Sequence, residues 1–418
     1  MPEPARPPSG RGLLNVVVIN DFAAVTGGSD RVALAEAAGL AQRGHRVTLI
    51  AGHGEPGPET TAAGIAVRTT GQPTTIADPH RLRAAGRGIW NRAASALVRE
   101  VLAEPTRGPT VVHIHGFTKV LSASVVRAAV RSGRPVVATL HEYFAACPNG
   151  GFFNYQTDEI CPLDPLSASC VTTHCDARSY SHKLWRVARS SVQRSLGQMP
   201  SGVRQLIVPS PTAGQVLGRF LPPESRLHVL PNPVPSVRRP PADPGGNVSF
   251  VFIGRLDHDK GPTLFAQAAR RAGVPAVFVG AGEEAAAVRE AYPQAELTGW
   301  IDDDGVQAAL RAARALVNAS LWYETQGLSA VEAAAHGVPA VVPDLGALRD
   351  VVADGETGLW FRGGDAGDLT IKLRRLAQDD ELTNTLGRAA YERFWSGSWD
   401  METHLDRLEA VYAEAAAG

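Results

Sequence analysis

The sequence predicts an α/β protein in which two doubly wound parallel sheets follow one another along 418 residues. Short apolar runs alternate with longer Ala-rich stretches of helical pattern, which is the order of elements in such sheets. Runs such as NVVVIN and RPVVATL are apolar on both faces, as strands are when helices cover both sides of a sheet. A proline-rich segment at 230–247 interrupts the alternation, which then resumes, so we expect two units of similar size.

The first unit is predicted at 13–235, after a polar tail at 1–12 that we expect to be disordered. Apolar runs place its strands at 14–20, 47–51, 111–115, 136–140 and 206–208. Helical patterns fall between these strands, for example at 30–43 and 82–101.

A linker is predicted at 236–247, because prolines remove backbone donors and fix φ so that neither a helix nor a strand continues. The second unit, at 248–390, has apolar runs at 248–253, 276–279, 316–318 and 340–342. Its helical patterns begin at Pro262, Glu283 and Leu328. A C-terminal helix is predicted within 391–418, with a break at WSGSW (395–399).

Composition excludes several classes of function. Lys and Arg number 41 and Asp and Glu 42, so the net charge of −1 predicts no nucleic-acid partner. No apolar run reaches the roughly 18 residues of a membrane span, and the start lacks the apolar core of a signal peptide. We therefore expect a cytoplasmic protein without a transmembrane segment. The arginines within 81–99 favour a solvated helix face over peripheral contact with a membrane or an anionic acceptor.

The loop after the first strand, AAVTGGSDR (23–31), contains two adjacent glycines. Gly27 and Gly28 let the backbone approach a ligand closely, and the N-terminus of the following helix favours an anion. The alternative is an ordinary turn between a strand and a helix.

The loop after the first strand of the second unit, FIGRLDHDKGPTLF (252–265), carries Arg255 and Lys260. Pro262 suits the first position of the next helix. An arginine that forks onto two oxygens and a lysine that acts as a point charge form a good diphosphate site beside a helix N-terminus. The alternative is a solvated pair of surface cations.

A third segment, LWYETQGLSAVEAAAHGVPAVV (321–342), carries Glu324 and Glu332. Gly327 is unfavourable inside a helix, so Glu324 is predicted in the loop and Glu332 near the start of the helix. Both carboxylates are then expected to reach the same cleft and accept sugar hydroxyls. Two solvated glutamates are the alternative.

Taken together, these motifs resemble those of the retaining glycosyltransferases of family 4, which have the GT-B fold. The E-x7-E donor signature of the family resembles Glu324 and Glu332, which are followed by AAAHGVPAVV. The family's diphosphate loop resembles GRLDHDKG, its glycine loop resembles TGGSDR, and its inner histidine strand resembles VVHIHG. The resemblance extends over about 14–415. It implies two Rossmann-like domains facing a central cleft, with the C-terminal helix (391–418) crossing back to the N-terminal domain.

The resemblance also implies roles for individual residues. The donor diphosphate is expected on Arg255 and Lys260, the ribose on Glu332 and the donor sugar on Glu324. The remaining expected donor contacts are Gly27, Gly28, Gln326, Gly327, Leu328, Trp300 and Ile301. On the acceptor side the family pattern implies His115, His141 and Glu142, with His115 reaching the reacting sugar. Independently of the resemblance, alternation along the strand leads us to expect His113 to pack on the face opposite to His115.

Two positions depart from the family pattern. Thr325-Gln326 stand where Gly-Phe is common after the first glutamate, which puts the identity of the donor sugar in doubt. Asp30 stands where glutamate is usual in the glycine loop.

We therefore predict a retaining hexosyltransferase that uses a nucleotide-diphosphate sugar, an unknown acceptor hydroxyl and no cofactor for its chemistry. One alternative is a catalytically silent protein that binds sugar nucleotides. A less favoured one is an NAD-linked Rossmann enzyme, because Gly280, Gly282 and Ala285 fit G-x-G-x-x-A and Asp302 lies about where a ribose-binding acid would.

All four cysteines fall within 147–175, beside the expected acceptor cleft. This insertion is rich in Pro, Gly and Ser, so a metal would supply folding energy that packing does not. We therefore predict a structural zinc, or else an iron–sulfur cluster, held by Cys147, Cys161, Cys170 and Cys175. Disulfides are the other alternative, although a reducing cytoplasm disfavours them.

Overall fold

The computed structural model describes residues 12–397 and 399–417, so nearly all of the predicted tail at 1–12 lies outside the described residues. The strands of the first unit are β1 (Asn15–Phe22), β2 (Arg46–His53), β3 (Ala66–Thr69), β4 (Thr110–Ile114), β5 (Val136–Thr139), β6 (Phe153–Asn154), β7 (Glu159–Ile160), β8 (Gln205–Val208) and β9 (Arg226–Val229). Strands β6 and β7 form a small antiparallel pair. The other seven form one parallel sheet in the order β3-β2-β1-β4-β5-β8-β9.

The helices of the first unit flank this sheet. They are α1 (Gly28–Gln42), α2 (Pro58–Ala62), α3 (Arg81–Ile89), α4 (Arg92–Ala103), α5 (Ser124–Arg131), α6 (Ala168–Thr172), α7 (Tyr180–Ser195) and α8 (Pro211–Gly218). The single helix predicted at 82–101 is thus two helices. Trp90 is extended between them, and the Asn91 side chain accepts a hydrogen bond from the Ala94 N–H to begin α4.

The second unit contains a six-stranded parallel sheet in the order β12-β11-β10-β13-β14-β15. Its strands are β10 (Ser249–Ile253), β11 (Ala276–Val279), β12 (Glu296–Gly299), β13 (Ala313–Val317), β14 (Ala340–Pro343) and β15 (Gly358–Phe361). The helices that follow are α9 (Pro262–Ala272), α10 (Ala285–Ala291), α11 (Asp303–Arg311), α12 (Leu328–Ala335), α13 (Leu348–Val351), α14 (Ala366–Gln378), α15 (Asp380–Ser396) and α16 (Met401–Ala417). No regular helix or strand crosses 230–243, within the proline-rich segment.

Strand β1 shows why the central strands are apolar on both faces. Val16 and Val18 belong to the core on one side of the first sheet, while Val17 and Ile19 belong to the core on the other. All eight residues of β1 are buried. The prediction of a doubly wound sheet covered by helices on both sides is confirmed.

The C-terminal helix α16 returns to the first unit, as predicted. Arg43, at the end of α1, donates to Glu402 at 2.6 Å and to Asp406 at 2.7 Å. Deeper in the same contact, Tyr412 is fully buried and its hydroxyl lies 2.8 Å from His113 Nδ1 on β4. None of the described helices combines the length and the apolarity needed to cross a membrane.

Candidate functional site

The loop between β10 and α9 places Lys260 in the cleft between the two units. Lys260 Nζ donates to Glu324 Oε1 at 2.7 Å and lies 4.8 Å from the centre of the Trp322 ring. Gly261 follows with a left-handed φ of 65°, and a Cβ there would lie 2.1 Å from the Ala319 carbonyl oxygen. Only glycine therefore lets this loop approach the end of β13.

Glu324 lies in the loop between β13 and α12, as predicted. The Ser320 hydroxyl also donates to its Oε1, at 2.6 Å. Burial alone would raise the pKa of Glu324, but Lys260, Ser320 and the charge of Arg255 overcome burial and lower it. The residue is therefore an anion at neutral pH. Its second oxygen, Oε2, accepts no hydrogen bond from a described residue and is left for a ligand.

Arg255 belongs to the same cluster. About half of its side chain (51%) is exposed, and its guanidinium is paired with Asp257. The next residue, His258, lies 2.7 Å from Asp158 of the cysteine-containing insertion. The insertion was expected beside the acceptor cleft, and it also reaches across the cleft to the loop between β10 and α9 of the second unit.

The N-terminus of α12 lies beside this cluster. Gly327 has a left-handed φ of 83°, and a Cβ there would come 2.3 Å from Leu348. Among the described residues, none accepts a hydrogen bond from the backbone N–H of Gln326, Gly327 or Leu328. These free donors suit an anion. The Gln326 side chain has a different role, because it bonds the backbone N–H and carbonyl of Asn232 and ties the loop to the interdomain segment.

The glycine loop faces α12 across the cleft. A Cβ on Gly28 would lie 3.0 Å from Leu328 Cδ1, so the two units are in close contact here, while Gly27 has open space around it. Arg31, in the first turn of α1, reaches the second unit through its guanidinium. Its NH1 lies 3.2 Å from Glu332 Oε1 and its NH2 lies 2.5 Å from Asp303 Oδ1.

Glu332 is the fifth residue of α12, and 18% of its side chain is exposed. Burial raises its pKa, Arg31 opposes this effect, and Asp303 adds to it. The structure therefore brings the two predicted glutamates to one cleft but gives them different cations. Trp300, expected near the base, is 65% exposed after β12, and Ile301 is half-buried against the core.

The predicted acceptor residues line a pocket in the first unit, together with Asp21, Lys119, Phe144 and Met199. His115 follows β4 and its side chain is fully buried, stacked on His141 with ring centres 5.3 Å apart. His115 Nδ1 lies 3.0 Å from His141 Nε2. Burial lowers the pKa of His141 to about 4, so the ring is neutral at neutral pH. The carbonyl of His141 accepts from Thr325 Oγ1 at 2.9 Å, which links the pocket to the loop between β13 and α12.

The expectation that His113 faces the other side of its strand was wrong, because side chains two residues apart share a face. The rings of His113 and His115 lie 4.0 Å apart, and both approach Glu36 of α1. In the described part of the chain, these three residues are the one group whose carboxylate oxygen and ring nitrogens all lie within 4.8 Å of one another.

The four cysteines form no such group within the described ranges, and all are free thiols. Instead, Lys183 of α7 is buried among them, with Nζ 3.1 Å from Cys175 Sγ and 3.5 Å from Cys170 Sγ. Burial raises the pKa of Cys147, Cys161 and Cys175, so this arrangement favours neutral thiols rather than a ready cage of thiolates. The structural metal site stays a prediction that this geometry does not favour.

The glycines that suggested a nicotinamide cofactor have a packing role. A Cβ on Gly280 would lie 1.9 Å from the Gly254 carbonyl oxygen, and one on Gly282 would lie 2.4 Å from that of Leu256. Asp302 caps α11 by accepting from the Gly305 N–H at 2.9 Å. The G-x-G-x-x-A turn is therefore filled by the diphosphate loop, which leaves no room for a dinucleotide to approach these glycines.

Sequence reasoning missed three residues, Arg31 in the cleft and the buried pair Glu36 and His404 behind the acceptor pocket. Arg31 places a cation in the first turn of α1, which the helix dipole disfavours, so a tertiary partner was to be expected. Glu36 interrupts the apolar run VALAEAAGLA of the same helix, and a buried carboxylate needs a partner. His404, which supplies that partner from α16, carries no comparable signal.

The two parallel sheets, the cleft between them and the returning helix form the architecture of the GT-B fold. Residues 26–238, half of the chain, match the family Glycosyltransferase Family 4, and residues 247–379 match Glycosyl transferases group 1. The chain belongs to glycosyltransferase family 4.

Curated relatives match part of the chain. The D-inositol 3-phosphate glycosyltransferase of Corynebacterium diphtheriae is 29% identical over 40% of this chain and 42% of its own length. The phosphatidyl-myo-inositol mannosyltransferase of Mycobacterium leprae is 31% identical over 37% of this chain and 43% of its own length. The match thus spans less than half the length of these relatives.

Solved structures match nearly the whole chain. The sucrose-phosphate synthase of Thermosynechococcus elongatus has a TM-score of 0.70 at 17% identity and covers 96% of this chain and 99% of its own. The Anabaena protein HepE in complex with UDP-glucose has a TM-score of 0.66 at 15% identity, with coverage of 96% and 99%. At these identities the likeness concerns the fold, which confirms the predicted GT-B architecture.

Proposed function

We propose that this protein transfers a hexose from a nucleoside diphosphate sugar to an acceptor hydroxyl, with retention of configuration at the anomeric carbon. The observation that carries the proposal is the grouping of Lys260, Arg255 and Glu324 beside the free amides at the N-terminus of α12. Membership of the family and the nucleotide-sugar complex of HepE support the choice of donor class.

The donor diphosphate binds where positive charge and free donors converge. The Lys260 ammonium has three N–H donors and gives one to Glu324, so others remain for phosphate oxygens. Arg255 is half-exposed and adds a forked donor, and the amides of Gln326, Gly327 and Leu328 complete the cradle. Gly27 and Gly28 cover the same phosphate from the first unit.

The two glutamates bind hydroxyls at either end of the donor. Glu324 is held ionised by Lys260, and its free Oε2 accepts from the hydroxyls of the sugar near the reacting carbon. Glu332 accepts from the ribose hydroxyls, and Trp300 and Ile301 lie beside the base. The acceptor enters the pocket of the first unit, which His141 and Glu142 line.

Catalysis then consists of stabilising the charge that develops on the leaving diphosphate. Lys260, Arg255 and the α12 amides are fixed before the reaction, so they need no reorganisation as the bond to the sugar breaks. The acceptor hydroxyl attacks from the same face, and the departing phosphate oxygen takes its proton. This scheme uses no side-chain nucleophile and no metal.

A two-stage experiment tests the proposal. A thermal-shift panel of UDP-, GDP- and ADP-sugars identifies the donor, since a ligand at 100 times its Kd adds about 2.7 kcal/mol to the free energy of unfolding. Turnover of that donor is then followed by NMR of the anomeric proton, and we expect a product with the anomeric configuration of the donor. An inverted product would refute retention. Binding without turnover for any acceptor would favour the silent sugar-nucleotide-binding protein.

A further inference from the structure

A buried polar network connects the C-terminal helix to the acceptor pocket. It runs from His404 on α16 through Glu36 on α1 to His115 after β4, and from there to His141 at the pocket. Glu36, His115 and His404 each have buried side chains. Because few donors and acceptors are present, the hydrogen bonds fix where the protons lie.

His404 meets an acceptor at each ring nitrogen. Its Nδ1 lies 2.8 Å from the Pro231 carbonyl oxygen and its Nε2 lies 3.0 Å from Glu36 Oε1. A carbonyl cannot donate, so Nδ1 carries a proton. Burial alone would raise the pKa of Glu36, but the interaction with His404 overcomes burial and lowers it, so Glu36 is the carboxylate of the pair. Its Oε1 can then accept a hydrogen bond from His404 Nε2.

The other oxygen of Glu36 determines the tautomer of His115. Glu36 Oε2 and His115 Nε2 are both buried and both lack a hydrogen-bond partner, yet they lie 3.5 Å apart. A lone pair on Nε2 would place two electron-rich groups side by side, whereas an N–H would place a positive hydrogen near the carboxylate and lower the electrostatic energy. The nearby His113 has its own partners, since Tyr412 and Thr139 hydroxyls each lie 2.8 Å from a ring nitrogen. His115 therefore carries its proton on Nε2.

This tautomer in turn determines that of His141. His115 Nδ1 then has a lone pair, and His141 Nε2, at 3.0 Å, must donate to it. Since burial lowers the pKa of His141 to about 4, the neutral ring has no second proton. Its Nδ1 is left as a lone pair that accepts from no described residue, on a ring that lines the acceptor pocket.

We propose that Glu36 and His404 are positioning residues that set the protons of His115 and His141, so that His141 Nδ1 accepts the hydrogen bond of the acceptor hydroxyl to be glycosylated. The role of His141 rests on the proposed function, whereas the proton positions do not. His141 holds and orients the hydroxyl before attack, and the C-terminal helix thereby contributes to the acceptor site from behind the sheet.

The proton positions are tested on the full chain without any ligand. Long-range ¹H–¹⁵N NMR of protein labelled at its 12 histidines separates protonated from unprotonated ring nitrogens. Single substitutions, His115→Gln, His141→Gln and His404→Gln, assign the signals. At neutral pH we expect protons on Nε2 of His115 and His141 and on Nδ1 of His404, which faces the Pro231 carbonyl oxygen. A proton on Nδ1 of His115, or a stoichiometric metal bound at Glu36, would overturn the proposal.

Glu36→Gln tests the coupling, with Tyr412→Phe as the matched control. The amide preserves the shape of the side chain but can donate to His115 Nε2, so we expect His115 and His141 to become mixtures of tautomers. Tyr412→Phe removes a hydroxyl whose one hydrogen bond among the described residues is to His113, and it should leave the His115 and His141 signals unchanged. Unaltered His115 and His141 signals in Glu36→Gln would refute the positioning role.

The role of His141 is tested with glycerol as the acceptor probe. We expect Glu36→Gln to lower the ratio of transfer to glycerol over hydrolysis of the donor in proportion to the fraction of His141 that carries its proton on Nδ1. The limit is about tenfold, the effect of losing one well-placed hydrogen bond in every molecule. Tyr412→Phe should keep the wild-type ratio. An unchanged ratio in Glu36→Gln would refute the His141 assignment. If no nucleotide sugar is turned over, the proposed function fails, while the NMR result still decides the proton positions.

Discussion

Replacing Arg31 by methionine removes the cation that faces Glu332 across the cleft. Glu332 is largely buried, which raises its pKa. Arg31 is the cation that opposes this rise. In the variant, the carboxyl group should therefore take up a proton at a higher pH. A protonated Glu332 accepts ribose hydroxyls less well, so nucleotide affinity should fall as the pH is lowered through that pKa.

The size of the shift follows from the 3.2 Å separation between Arg31 NH1 and Glu332 Oε1. Because 34% of the Arg31 side chain is exposed, solvent screens the pair, and the dielectric constant of water sets the smallest interaction it can have. Coulomb's law with that constant gives about 1.3 kcal/mol, or roughly one pKa unit. The pH at which nucleotide affinity is half lost should therefore rise by one unit or more in Arg31→Met.

Isothermal titration between pH 5 and 8 measures this midpoint, with whichever of UDP, GDP and ADP binds best as the ligand. Asp303→Asn is the matched control of opposite sign, because Asp303 raises the pKa of Glu332. Its midpoint should stay or move to lower pH. Identical pH profiles for the wild type and Arg31→Met would refute the assignment of Glu332 as an ionised ribose ligand.

Three further predictions concern the donor site and its backbone. Lys260→Ala should lower transfer at least about tenfold with an unchanged circular dichroism spectrum. Losing one contact to the charge that develops in the transition state costs about 2.7–4 kcal/mol in well-studied sites. Near-normal turnover would show that Lys260 does not hold the diphosphate. Glu324→Ala should lower turnover more than nucleotide affinity, measured by kinetics and titration together, and the reverse order would mean that Glu324 and not Glu332 binds the ribose. Gly327→Ala should destabilise the protein by more than the roughly 1–2 kcal/mol that a left-handed alanine costs, because the new Cβ meets Leu348. Gly364→Ala is the control, since Gly364 has a φ of 77° and open space around it, and its loss in thermal unfolding measures the backbone cost alone. Equal losses in the two variants would show that the Leu348 side chain moves aside at no cost.

The sequence predicted the interior strands of both sheets because their apolar runs need no neighbour to be recognised. The strands at the edges of the two sheets, β3, β9, β12 and β15, were not predicted. Each is only four residues long, and β3 (Ala66–Thr69) and β9 (Arg226–Val229) are half-buried or exposed throughout. A short strand with one partner lacks the two-sided apolar pattern that identified the others.

The candidate site was predictable where its residues share a loop and a local motif. Lys260, Gly261 and Pro262 are adjacent, and the loop before α12 is marked by Gly327. Contacts between distant segments were not predictable: Arg31 and Glu332 are 301 residues apart, and Glu36 and His404 are 368 apart. Their pairing depends on how the two units and the last helix come together, which no local pattern encodes.

A crystal structure with a bound nucleoside diphosphate tests the central claim most directly. We expect the diphosphate to contact Lys260, Arg255 and the backbone amides of Gln326–Leu328, with the ribose on Glu332. A nucleotide bound at the glycine turn of 280–285, or a diphosphate that avoids Lys260, would contradict the account.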